Sequence, residues 1–171
     1  MENYTAINTS VEMGSELPKI VDVSAEDKER FYKSILSDIP YDEVIFLFGD
    51  QLKVRFKALT VQENTDVVNQ IIADKKNGVS GEHDAYFITI ATYRLGLSLV
   101  SVDEQPFSAV TKDNFSPSTE TDTYVLSRSK LMRTWATPKL SAFLDAFQRF
   151  EAKLIKLTNE VQNPSFWKAS T

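Results

Sequence analysis

Leu140, Phe147, Leu154 and Val161 stand seven residues apart, and Phe143, Phe150 and Leu157 fill the alternate positions. A seven-residue repeat holds apolar side chains on one narrow seam of a helix, and a seam of side chains this large has to pack against another surface. Left in water it forms an apolar patch of a size that monomers rarely expose. Burying it contributes on the order of 10–20 kcal/mol gross, before the entropy of ordering the side chains is subtracted. Residues 137 to 161 are therefore expected to form a long amphipathic helix. Thr137 and Pro138 cap and start it, and Asn163 and Pro164 stop it.

Two partners satisfy the seam. One is an antiparallel helical layer with residues 122 to 135 of the same chain; the other is a second chain. Three heptads are short for a free-standing coiled coil, and the flanking Leu144, Ala146, Glu151, Lys153, Thr158 and Glu160 carry a weak charge code. The helix is thus expected to close its own domain first. Leu144, Ile155, Phe166 and Trp167 then remain as the partner-binding residues. Phe166 and Trp167 lie beyond the helix stop, where aromatic anchors on a short tail suit docking into a groove. Folding back onto the chain's own core is the competing reading for that aromatic pair.

The 171 residues fit one domain, with a core that buries roughly 70% of the unfolded surface and needs no staple. There is no cysteine, which excludes disulfides, thiolate metal sites and a cysteine nucleophile. The net charge of −5 speaks against nucleic-acid binding as the main activity. The N-terminal residues lack the basic start and apolar core of a signal peptide. The longest apolar region, 85 to 102, carries Arg94 and several hydroxyl groups, which argues against a membrane span.

Along the chain, residues 1 to 18 read as a polar, flexible arm, residues 19 to 167 as a single domain and residues 168 to 171 as a tail. Ile20, Val21 and Val23 suit a short strand or docking segment. Ser24 and Asp27 make a capping box for a helix with Phe31, Ile35 and Leu36 inward, ended by Pro40. The run Val44 to Phe48 predicts a strand covered on both faces. Gly49, Asp50 and Gln51 supply a turn, after which Leu52, Val54 and Phe56 alternate with Lys53, Arg55 and Lys57 in a second strand with one wet side. Thr60 and Glu63 form another capping box, before a helix with Val67, Val68, Ile71 and Ile72 buried and Gly78 at its end. Residues 84 to 102 begin as helix and turn to strand at Leu97. Residues 103 to 120 read as a surface loop, and residues 122 to 135 as a helix. The class is α+β: a hairpin or small antiparallel sheet with about five helices.

Candidate chemistry is sparse. His83, between Glu82 and Asp84, offers a general base or metal ligand, yet adjacent helical residues diverge, and acids at a helix start serve the dipole. The pairs Asp42–Glu43 and Asp103–Glu104 suit acid–base work only if burial separates their pKa values; at strand edges they serve solvation. Lys53, Arg55 and Lys57 suit either an acidic partner or the protected face of an edge strand. Arg128, Lys130 and Arg133 do not share a face. No phosphate loop, dinucleotide fingerprint or nucleophile elbow is present. These readings assign no catalytic residue, metal or cofactor.

Two blocks carry a family likeness. Gly49-Asp-Gln-Leu-Lys-Val-Arg-Phe-Lys-Ala-Leu-Thr-Val-Gln-Glu-Asn is a basic strand leading into a capped helix, and Tyr93-Arg-Leu-Gly-Leu-Ser-Leu-Val-Ser-Val follows later. Together with the long final helix ending in Asn163-Pro-Ser-Phe-Trp, they resemble tail assembly chaperones and baseplate hub assembly proteins of tailed bacteriophages, over residues 44 to 102 and 122 to 167. The resemblance implies a non-enzymatic protein of the host cytoplasm or the virion that binds other tail components, such as tape-measure or hub proteins, or itself. A minor structural subunit of the tail or baseplate and a small inhibitor of a host protein are the alternatives. No binding residue is carried over.

Overall fold

A computed structural model of the chain describes residues 22–79 and 84–163. In chain order these form α1 (Ala25–Ser37), β1 (Asp42–Leu47), β2 (Leu52–Lys57), α2 (Val61–Lys76), α3 (Asp84–Ser98), β3 (Leu99–Val102), β4 (Gln105–Pro106), α4 (Tyr124–Lys130) and α5 (Thr137–Val161). The class is α+β, with one antiparallel sheet ordered β1-β2-β3-β4 and five helices among the described residues. The arm at residues 1 to 18, Ile20, Val21 and the residues from 164 onward lie outside them.

Local chemistry sets most of the starts and stops. Ser24 and Thr60 each accept a hydrogen bond from the backbone N–H three residues on, and Asp27 and Glu63 return the bond to the cap, which satisfies amides that the first helical turn leaves without partners. Asp38, in the left-handed region, ends α1 two residues before Pro40. Gly78 ends α2 at φ 82°. The β1–β2 hairpin pairs Ile45 with Val54 and Leu47 with Leu52, and turns through Phe48, Gly49 and Asp50, all at positive φ. The expected strand ending at Val102 continues through a turn at Asp103 and Glu104 into β4, which lies inside the segment expected to be loop. The Asp103 carboxylate accepts from the Lys53 N–H at 2.9 Å, and Glu104 pairs with the Lys53 ammonium at 2.7 Å.

Several expectations are corrected. β1 is an edge strand, not one covered on both faces: Leu47 is buried, whereas Phe46 is 54% exposed. A continuous apolar run cannot reveal that one face lacks a cover. In α1 only Phe31 is buried, and Ile35 and Leu36 face solvent. In α2 the inward residues are Val67, Gln70 and Asp74, with Ile71 half-buried, and Val68 and Ile72 point outward. Positions 67, 70, 71 and 74 share one helical face, and 68 lies about 100° away from 67. α3 runs through Leu97 to Ser98 before the strand begins. α4 covers only residues 124 to 130, and its cap is Thr123. Ala136 occupies the cap position of α5 without a side-chain bond, so Thr137 is the first helical residue and not the cap.

The heptad seam packs inside the chain, and its cover is the sheet, α3 and α1 rather than a helical layer with residues 122 to 135 alone. Phe143, Phe147, Phe150 and Leu157 are buried, with Leu140, Leu154 and Val161 packed against the same core. Phe56 of β2 lies 5.9 Å, ring to ring, from both Phe147 and Phe150. Tyr41 stacks on Phe150, and Phe31 meets Tyr41 edge-on. Trp135 and Met132, after α4, close the N-terminal end over Phe143. A second, smaller core of Val67, Tyr93, Leu97 and Val125 joins α2, α3 and α4.

Candidate interaction surface

Three polar clusters knit the elements together. Lys153 of α5 lies between Asp27 of α1 and Glu43 of β1, with its ammonium 2.8 Å from each carboxylate. The Tyr41 hydroxyl donates to Asp27 at 3.3 Å. Burial opposes the charge on Lys153, yet bonds to Asp27 and Glu43 outweigh it and raise the pKa above the ordinary lysine value. An ammonium held this firmly is neither a base nor a nucleophile at neutral pH. Burial, then the neighbouring Glu43 and Asp27, push the Tyr41 phenol far upward as well. The second oxygen of Glu43 is buried and has no hydrogen-bond partner among the described residues.

A second cluster lies between α2, α3 and α4. Gln70 donates to Asp74 at 2.8 Å, Tyr93 donates to the other Asp74 oxygen at 2.8 Å, and Thr123 donates to Gln70 at 2.5 Å. Every member is matched, as buried polar groups have to be. The third is Arg128, one of three helical cations expected to share no face, which is buried. Its guanidinium donates to the carbonyls of Gly96 at 2.8 Å and Leu99 at 2.6 Å, under the Phe107 ring. Desolvation lowers its pKa. Gly96 makes this approach possible, since a Cβ there would sit 3.3 Å from the Met132 methyl and 3.4 Å from the Arg128 backbone.

The cationic face of β2 is tied up internally. Lys53 pairs with Glu104, Arg55 with Asp42 and Lys57 with Glu63. Of the two acidic pairs expected at strand edges, Asp42, Glu43 and Glu104 therefore act as counter-ions, Glu43 through Lys153, while Asp103 accepts from the Lys53 backbone N–H. A shallow groove of about 340 Å³ runs over the outer sheet face, lined by Val44, Arg55, Val100 and Pro106 among others. His83, Glu82 and the Asp84 side chain lie outside the described residues. Among the described residues no group of three or more metal-ligating side chains converges, and no helix is long and apolar enough to cross a membrane.

Of the four expected partner-binding residues, the structure describes Leu144 and Ile155. Leu144 is half-buried and packs on the core. Ile155, 63% exposed, points outward from α5. Phe166 and Trp167 lie outside the described residues. A surface that the periodicity reading missed is on α2. Val61 is 85% exposed, Val68 53% and Ile72 46%. With Thr65 they occupy positions i, i+4, i+7 and i+11, one stripe on the face turned away from the buried Val67, Gln70 and Asp74. Both faces of α2 carry β-branched residues, so spacing alone places Val68 and Ile72 in the core with Val67 and Ile71. Comparison of the chain with protein-family models, curated proteins and solved structures finds no match.

Proposed function

We propose that this chain is a non-enzymatic assembly protein of a phage tail, acting in the host cytoplasm through contacts with other tail components. The observation that carries the reading is the apolar stripe of α2, which gains nothing from solvent and has no role in the core. Three large β-branched side chains on one exposed helical face are the anchors of a helix-in-groove or helix-on-helix contact. The block on which the phage likeness rests folds as the β1–β2 turn, β2 and the first residues of α2, so it leads straight into the stripe. The matched ion pairs and satisfied buried polar groups around it favour a fixed scaffold that presents a surface.

Co-expression with tape-measure, tube and baseplate-hub proteins tests this. The expected result is a stable complex with at least one of them, lost on Val68→Glu. Failure to co-purify with any tail component overturns the proposal. Mass spectrometry of purified particles then distinguishes an assembly factor, absent from the virion, from a retained subunit at fixed copy number.

A further inference from the structure

We infer that α1 is a releasable strap. It leaves α5 as one unit, hinged at Asp38, Ile39 and Pro40, and uncovers the C-terminal end of the apolar seam while the sheet and the rest of α5 stay folded. Lys153, Leu157 and Glu160 stand at i, i+4 and i+7 on one face of α5. The outer two are paired with α1, Lys153 with Asp27 at 2.8 Å and Glu160 with Lys28 at 2.7 Å. Leu157, between them, is buried in the same core as Phe31 of α1, so α1 lies across it.

The contacts on this surface are arranged so that α1 can part from it without stranding a charge. Of its 13 residues only Phe31 is buried, and Ile35 and Leu36 face solvent. Among the described residues α1 adds no backbone hydrogen bond to the sheet. The groups it leaves behind at the sheet each have a second partner. Lys153 keeps Glu43 at 2.8 Å, and Asp42, which loses Arg30, keeps Arg55 at 3.6 Å. Tyr41 loses the Asp27 carboxylate and the Phe31 ring, yet it stays stacked on Phe150, and its carbonyl still accepts from the Ala58 N–H at 2.7 Å. That backbone bond marks where the strap ends. Glu160, already 29% exposed, returns to water, and on the departing side Asp27 keeps its bonds with Ser24. Breaking a buried ion pair is costly when it leaves one charge buried and alone, and release of α1 leaves none. An isolated helix of this length is marginal in water, so release and unwinding go together.

The chain has no cysteine, so a single introduced thiol reports the opening. Leu157→Cys places it under α1, and Val54→Cys places it in an inner strand of the sheet; both positions are fully buried. Each full-length variant is labelled with an aromatic disulfide reagent under native conditions, and the rate is compared with that variant's own global unfolding, followed by circular dichroism in urea. Val54→Cys is expected to react only as fast as global unfolding allows. Leu157→Cys is expected to exceed that limit by about tenfold or more, with a weaker urea dependence, because a local opening exposes less surface. Amide exchange of the unsubstituted chain keeps the test open should Leu157→Cys not fold: the α1 amides are expected to exchange as one group, with a smaller urea slope than those of β2. Labelling of Leu157→Cys confined to global unfolding, or α1 amides that share the β2 slope, would overturn the inference. So would labelling at the speed of a free thiol, which would show that α1 does not cover Leu157.

Discussion

Lys153 ties three elements with one ammonium group, and its removal is the sharpest test at the residue scale. Lys153→Ala leaves Asp27 and Glu43 part-buried without a counter-ion, and the expected loss is about 3–5 kcal/mol, read from urea unfolding at neutral pH. The pH dependence has a definite sign. Burial acts to raise the Asp27 pKa, but bonds from Lys153 and Ser24 outweigh it and hold it below the ordinary 3.8. A lowered carboxylate contributes stability that is complete above its unfolded value and is lost as pH falls through the folded value. Lys153, raised above 10.5, contributes below that value and loses its contribution as pH rises through the raised one. The difference between wild type and Lys153→Ala is therefore expected to be flat across neutral pH and to shrink below about pH 4. A difference unchanged down to about pH 2 would show that the bridge is not its source. Arg128 makes a second prediction. Arg128→Lys keeps the charge but cannot span the Gly96 and Leu99 carbonyls, and is expected to cost about 2–3 kcal/mol in the same measurement. Neither role was legible in the sequence. Lys153 reads as a flanking position of the seam and Arg128 as one of three helical cations without a shared face, because their partners lie 126, 110, 32 and 29 residues away.

At the scale of elements, what depends on neighbouring residues was legible. Both capping boxes, the alternation of β2 and the apolar seam of α5 follow from spacing alone. Thr60→Ala is expected to destabilise by about 1 kcal/mol, with the loss appearing first in amide exchange of the opening turn of α2. Phe150→Ala, which removes the ring shared by Tyr41 and Phe56, is expected to cost about 3–5 kcal/mol in thermal or urea unfolding. What depends on a third element was not legible. β1 carries as apolar a sequence as a central strand, yet it sits at the edge. α3 extends through Leu97 and Ser98 because Ser98 donates to the Lys57 carbonyl at 2.6 Å and Arg128 gathers the carbonyls on either side of that turn.

Across the whole molecule, α5 is the beam on which the sheet, α1 and the α4 end are assembled, and the seam residues supply one continuous core. α1 is held differently, by one buried phenylalanine and by ion pairs of Lys28 with Glu160, Arg30 with Asp42 and Asp27 with Lys153. Native-state hydrogen exchange is expected to show α1 opening at lower free energy than β2 and α5, and high salt is expected to widen that gap by screening the exposed pairs. Equal protection of α1 and α5 would contradict this account.

The sequence by itself determined the α+β class, the hairpin and its wet face, two helix starts and the need of residues 137 to 161 for a partner, because each follows from local spacing and backbone chemistry. Only the tertiary structure decided what that partner is, which of two β-branched faces of α2 goes inward, and that Lys153 and Arg128 are buried. Those outcomes depend on which distant surfaces meet, and a burial preference shared by Val67 and Val68 is resolved only by the Tyr93 and Val125 that arrive beside one of them.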